Sequence, residues 1–216
     1  MHPIDMATWP RRPLFEFFNE LDYPHFSLCA PLDVSHFYPA IKAHALPFTL
    51  AVVYVLARTA NTMPCFRQRI HGHAVVEYEV IDPSMTLLGE DELFAFCTMP
   101  YRADFKQFAE QAQAAMARSR QTPSLSDEGR DDLFFMSSIP WVAFSNITHP
   151  IHMRPVDSVP RLTWGKVSQT EGKLHMPLAI QVHHALMDGL HVGRFLGQVQ
   201  TALNAPAAML GIDWPI

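Results

Sequence analysis

The segment Gln181-Val182-His183-His184-Ala185-Leu186-Met187-Asp188-Gly189 concentrates residue types that can move a proton. A neutral imidazole takes up a proton near pH 7, so histidine is the usual general base. Asp188 follows His184 by four residues, where it can shape a turn or fix the charges around it. Gly189 offers a backbone angle that other residues avoid. By themselves these residues leave two readings open, a catalytic histidine or a tandem pair with a structural role. A metal reading competes. His184, Asp188 and His191 recur at i, i+4 and i+7, and on one helical face they would present oxygen and imidazole ligands suited to zinc. The stretch around His184 reads as strand or turn, however, and that breaks the face.

The elements that must position this segment follow from hydrophobic pattern. Residues 173–183 form a strand candidate whose apolar stretch runs straight into the histidine pair. Pro177 within it points to an edge or a bulge early in the strand. Residues 190–203 read as a helix with Leu190, Phe195, Leu196 and Val199 on its apolar side. The histidines therefore sit at a strand-to-helix junction, where side chains project into a cleft from a rigid frame. Upstream, residues 14–21 suit a short helix, 26–32 a strand and 47–61 a helix. The partly alternating residues 74–81 suit a half-buried strand ending at Asp82-Pro83. Phe105, Phe108, Ala109, Ala112, Ala115 and Met116 recur at helical spacing within 103–120. Residues 121–132 are polar and read as a loop, with 127–132 solvated; 139–145 and 161–168 are further strand candidates. His71-Gly72-His73 reads as a turn, and the remaining histidines as surface or core residues. Arg67 and Arg69 alternate on a possible strand and are expected on an exposed sheet face. The mixed order of elements predicts one sheet covered by helices, an α/β fold in a single two-layer domain over 1–216.

Bulk properties narrow the function classes. The 216 residues are 49% apolar and 17% charged, enough for a full core and against disorder. A net charge of −5, with 16 scattered Lys and Arg, argues against a general nucleic-acid binder. Cys29, Cys65 and Cys97 form no CxxC pair, so a reducing cytoplasm is the simplest compartment. The start has neither basic nor apolar signal regions. The apolar run from Phe48 to Ala57 is ten residues long, too short to span a bilayer, and reads as a buried helix.

The longer run Pro177-Leu178-Ala179-Ile180-Gln181-Val182-His183-His184, through Asp188-Gly189-Leu190-His191-Val192-Gly193-Arg194, resembles the signature of the chloramphenicol acetyltransferases, HHxxxDG followed by Phe-His-Val. Further matches extend along nearly the whole chain: Trp9-Pro10-Arg11-Arg12 with Phe15-Glu16-Phe17, then Pro100-Tyr101, Pro140-Trp141-Val142 with Phe144, and Leu162-Thr163 with Gly165-Lys166. The resemblance implies a family-like α/β fold, a homotrimer with sites between subunits, and acetyl-CoA as co-substrate rather than a permanently bound cofactor. Its implied partner is a small hydroxyl acceptor, chloramphenicol first, and it implies no metal, nucleic acid or membrane.

The same resemblance implies residue roles. His184 is the base that deprotonates the acceptor hydroxyl, and the alkoxide attacks the thioester directly. Asp188 pairs with Arg11, and Thr163 helps to hold a water near the tetrahedral intermediate. The family places a serine, as oxyanion donor, two residues after Phe144. Here that position is Asn146, whose amide can also donate, while Ser145 precedes it. Phe18, Phe26 and Phe94 match acceptor-pocket positions, with Phe18 replacing a common phenol. Lys166 belongs to the coenzyme A side, and Val167 stands where an aromatic ring can stack on adenine. Three other readings compete: acylation of another alcohol or amine, a binding protein on the same scaffold, and a metal hydrolase.

Overall fold

The computed structural model describes residues 1–127 and 129–212. In chain order the elements are β1 (His2–Pro3), α1 (Arg12–Asn19), β2 (His25–Asp33), α2 (Phe37–Ala43), α3 (Phe48–Asn61), α4 (Pro64–Arg67), β3 (Gln68–His71), β4 (Ala74–Glu77), β5 (Asp82–Leu88), β6 (Phe94–Thr98), α5 (Phe105–Gln121), β7 (Leu133–Ile139), β8 (Arg161–Gly165), β9 (Ser168–Thr170), β10 (Lys173–His183), α6 (Gly189–Asn204) and α7 (Pro206–Leu210). The chain is an α/β fold whose main sheet is mixed. Its strands run in the order β2-β10-β8-β7-β5-β6, with β9 pairing β10 outside that path. The pairs β5/β7 and β7/β8 are parallel and the others antiparallel. A separate small sheet has the order β1-β4-β3.

Helix α3 forms from the apolar run and is buried from Leu50 to Ala57, as an all-round apolar helix must be. No described helix is long and apolar enough to cross a membrane. In α5, Phe105, Phe108, Ala112 and Ala115 turn inward, and Asp104 caps the first turn by accepting from the Gln107 N–H at 2.8 Å. In α6, Val192, Phe195, Val199 and Leu203 do the same. These three helices share one core with Leu178, Ile180 and Val182 of β10 and with Leu162 and Trp164 of β8. Because strand side chains alternate, Ala179, Gln181 and His183 leave on the other face. Register places His25 and Ser27 of β2, and Arg161 and Thr163 of β8, beside them. One face of the sheet is thus apolar beneath helices, and the other is polar.

Several boundaries differ from the sequence-based expectations. The stretch 74–81 is not one strand: β4 ends at Glu77 in the small sheet, and Asp82-Pro83 opens β5 in the main one. Between them Asn61 replaces the ladder, accepting from the Ile81 N–H and donating to its carbonyl. The expected strand 139–145 is displaced to Leu133–Ile139, since Pro140 offers no N–H to continue it. The strand expected over 161–168 is split between β8 and β9. Helix α1 begins two residues before its expected start, with Pro13 in its first turn. Strand β10 is interior rather than an edge. Pro177 fits because it lies opposite Pro31, in the gap between pairing with β9 and pairing with β8. A Cβ on Gly165 would lie 2.7 Å from Pro177 Cγ and 2.8 Å from the Val142 carbonyl, so only glycine lets residues 142–144 close over the end of β8. His71-Gly72-His73 is the turn expected, with Gly72 at φ +63°.

The arginines expected on an exposed face are not there. Arg67 pairs with Glu77 at 2.9 Å and donates to the Tyr78 carbonyl. Arg69 is fully buried and donates to the carbonyls of Phe66, Gln68, Asp131 and Leu133. Burial pulls its pKa down to about 10 against the pull of Asp131 and Asp157, so it is charged at pH 7. The segment 127–132 is likewise more than a solvated loop. Arg130 binds Asp82 and Asp132, and Asp131 accepts from Tyr78 and His71, while Glu128 lies outside the described residues. Arg69 therefore ties β3 to the start of β7. Arg69→Met should lower stability by about 3–5 kcal/mol, the scale of leaving several buried carbonyls without donors. A urea midpoint equal to that of the wild type would contradict this.

Candidate active site

The end of β10 delivers the histidine pair to a sharp turn. The ladder with β2 continues one residue past β10, where the His184 N–H donates to the Pro24 carbonyl at 2.6 Å. Alternation then sends the two rings to opposite faces. His184 joins the Phe26 side: its ring stacks on Phe18 at 3.8 Å and 6°, and lies 4.7 Å from Phe26. Its Nδ1 is buried and has no hydrogen-bond partner among the described residues. His183 turns to the polar face, packs edge-on against His25 at 4.9 Å, and accepts from the Ala185 N–H. Desolvation, reinforced by His25, pushes the His183 pKa down to about 3, so that ring is neutral. His25 is held below its ordinary value by the same burial, against a hydrogen bond to the Asp157 carbonyl.

Arg11, at the start of α1, clamps the turn after His184. Its guanidinium donates to the His184 carbonyl at 2.8 Å, to the Ala185 carbonyl at 2.9 Å and to Asp188 Oδ2 at 2.8 Å. The planar fork suits such a multidentate grip. The second oxygen of Asp188 accepts from the Leu190 N–H and from His191, capping α6. His191 Nδ1 lies 2.9 Å from that carboxylate and 3.3 Å from the Asp188 N–H, and the shorter contact makes it a donor to the carboxylate. Both oxygens of Asp188 are thus engaged by protein donors, and His184 points elsewhere. The three residues do not form a ligand set, and no cluster of metal-ligating side chains occurs among the described residues. Gly189 is not needed for a special backbone angle. It is the first residue of α6, outside the left-handed region, and a Cβ there would meet nothing within 4 Å.

The other candidates lie apart from His184. Thr163 is buried on the polar face, beside Ala179 of β10. Four residues along a strand separate that position from His183, roughly 13 Å. Its Oγ1 is 2.8 Å from His149 Nε2. Asn146 is exposed on the same side, and its Oδ1 accepts from Ser27, which leaves the amide nitrogen to donate. Phe94 is half exposed on the edge strand β6, four strands from β10 and roughly 19 Å away. It shares the polar face: Phe96, two residues on, pairs with Thr86, whose hydroxyl meets Ser137 beside Thr163. Lys166 is exposed past the end of β8, near Pro177 and roughly 23 Å from His184 along β10. Val167, beside it, is partly buried. Of the residues read from the sequence, Arg11, Phe18, Phe26 and Asp188 gather around His184. Asn146, Thr163 and Phe94 lie apart from one another on the opposite face. His149, read with the remaining histidines as a surface or core residue, also lies on this polar face, joined to Gln181 and Thr163, and polar Gln181 and His183 at alternate positions of an apolar strand mark that face.

A family model described as chloramphenicol acetyltransferase matches residues 1–200. The chain belongs to the chloramphenicol acetyltransferase family. It is 31% identical over 210 residues to a chloramphenicol acetyltransferase of Streptomyces acrimycini, covering 95% of each chain. Among solved structures, a chloramphenicol acetyltransferase superposes with a TM-score of 0.87 at 29% identity, covering 93% of this chain and 98% of that one. A dihydrolipoamide acetyltransferase of Azotobacter vinelandii, at 21% identity and a TM-score of 0.67, shares the fold. The family is one of enzymes, and in this chain Arg11 joins the amino-terminal Trp9-Pro10-Arg11-Arg12 run to the segment from His184 to Asp188.

The Asp188 carboxyl sits below the usual carboxylate range. Burial, the largest contribution, raises it, but the hydrogen bonds and charges of Arg11 and His191 together outweigh that. A depressed folded pKa gives stability that is fully present above the unfolded value of about 3.9 and is lost as pH falls through the folded value below it. Asp188→Asn should therefore flatten the loss of stability below about pH 4. The pair is partly exposed, so a double-mutant cycle of Arg11→Met with Asp188→Asn should give about 1–3 kcal/mol of coupling. Zero coupling would mean that the contact contributes nothing.

Proposed function

We propose that the whole chain acts as one acetyltransferase domain, moving acetyl from acetyl-CoA to a hydroxyl of chloramphenicol with His184 as general base. The observation that carries this is the fixing of His184 within the family's signature: ring against Phe18 and Phe26, carbonyl held by Arg11. The acceptor hydroxyl passes its proton to the imidazole while its oxygen attacks the thioester carbonyl carbon. The tetrahedral intermediate collapses, the carbon–sulfur bond breaks, and the coenzyme A thiolate takes the proton back from His184. Asn146 donates to the oxyanion, Thr163 holds a water beside it, and Lys166 meets coenzyme A.

These groups work together only if two chains contribute. His184 with Phe18 and Phe26 lies on one sheet face, and Asn146, Thr163 and Phe94 lie on the other. In a ring of three subunits with head-to-tail contacts, the base of one chain faces the polar face of the next. That separation supports a homotrimer with shared sites, and the widely spaced free thiols of Cys29, Cys65 and Cys97 suit a reducing cytoplasm. A second acceptor class, another small alcohol or amine, is favoured by Phe18, whose bare ring supplies no hydroxyl to hold the drug.

Thiol release from acetyl-CoA should rise on adding chloramphenicol, and an acceptor panel separates the two classes. His184→Ala should lower turnover by roughly 10²–10⁴-fold, the usual scale for a general base. His183→Ala should act mainly on stability, since that ring is buried on the other face. Near-normal turnover in His184→Ala at saturating substrates would reject the assignment.

A further inference from the structure

The polar face holds a residue placed with more care than a loop position requires. His149 lies between β7 and β8, in a stretch free of helix and strand apart from one isolated bridge. Its backbone is nevertheless fixed by the side chain of Gln181. The His149 N–H donates to Gln181 Oε1 at 2.6 Å, and its carbonyl accepts from Gln181 Nε2 at 3.3 Å. Gln181 is 2% exposed in the middle of β10, where an apolar side chain would otherwise belong. Pro150 follows and biases His149 toward extended backbone. The result is one directed contact, His149 Nε2 to Thr163 Oγ1 at 2.8 Å.

We propose that His149 is a positioning residue for the reaction: its Nε2–H donates to the Thr163 hydroxyl and so turns that hydroxyl's own proton toward the acceptor. This rests on the acetyltransferase reading, in which Thr163 serves a water beside a developing oxyanion. A threonine whose proton points into His149 can only accept there, whereas an oxyanion and its water need a donor. A hydroxyl that receives a hydrogen bond also donates its own more strongly. The surroundings suit a neutral ring. Burial, then the positive charge of Arg161, hold the imidazole below its ordinary pKa. Arg161 itself is paired with Asp157, and on the same face burial holds His25 and His183 below their ordinary values and the Cys29 thiol above its own.

The test combines kinetics with the imidazole spectrum of the full-length protein. His149→Leu should lower kcat about tenfold, the worth of one hydrogen bond in the transition state, with little change in KM for acetyl-CoA. His149→Gln carries an N–H near the Nε2 position and should recover most of the loss, while the shorter His149→Asn should not. In a Thr163→Val background, His149→Leu should have little further effect. A proton–nitrogen correlation spectrum near pH 8 should show His149 protonated on Nε2. Unchanged kcat in a folded His149→Leu, Gln no better than Asn, full additivity with Thr163→Val, or protonation on Nδ1 would each overturn the role. Should the leucine variant not fold, the Gln and Asn pair and the spectrum decide. A wild-type protein that transfers no acetyl group would defeat the proposed function, and the role with it; an active wild type with an indifferent His149→Leu would defeat the role alone.

Discussion

Side chains along an extended strand leave alternately on opposite faces, and β10 obeys this rule through its last residue into the turn. The ladder with β2 reaches His184, so the two adjacent histidines cannot serve one site. His183 enters the polar face and is desolvated into neutrality beside His25. His184 enters the helix side and meets Phe18 and Phe26. Everything that follows β10 is arranged around that division. The polar face carries groups that can stabilise negative charge, and the other carries the group that can take a proton.

Placing the proposed base, His184, at a strand end exposes it to the looseness of a turn. Arg11 removes that freedom from the far end of the sequence, holding two successive carbonyls and the Asp188 carboxylate with one planar group. Asp188 in turn caps α6, so the clamp, the turn and the helix start form one unit. The same device appears elsewhere at greater depth. Arg69 joins β3 to β7 by gripping carbonyls, and Gln181 fixes a loop backbone on which His149 rides. Buried polar side chains that bind main chain define position more sharply than apolar packing, because each fails if the geometry slips.

Much of this was legible in the sequence where burial alone decides structure. Helices α3, α5 and α6 and strand β10 follow from apolar spacing, and the signature with Arg11 marked both ends of the clamp. Legibility failed where a single hydrogen bond or a missing one sets the boundary. Pro140 ends β7 instead of lying inside a strand, and Asn61 splits 74–81 between two sheets. Charge misled at Arg69, whose partners are carbonyls contributed by residues far along the chain and invisible to any local pattern. The sequence named the candidate residues but not their division between the two faces of the sheet. That separation depends on strand register, and one residue of register exchanges the faces. His149 escaped for a related reason: its meaning lies in Thr163 and Gln181, which are distant in sequence.

Sharing of the site between chains is the central claim, and subunit mixing tests it most directly. One population would carry His184→Ala, which removes the proposed base. The other would carry Asn146→Arg, an exposed position where a bulky cation should obstruct the polar face without disturbing the core. The two are unfolded together, refolded, and assayed once native mass spectrometry has confirmed mixed trimers. Each parent should be inactive, and the mixture should recover roughly a quarter of wild-type activity, because about three trimers in four are mixed and each has one intact site of three. No recovery in confirmed mixed trimers, or full activity in a monomeric wild type, would place base and polar face in the same chain and contradict the shared site.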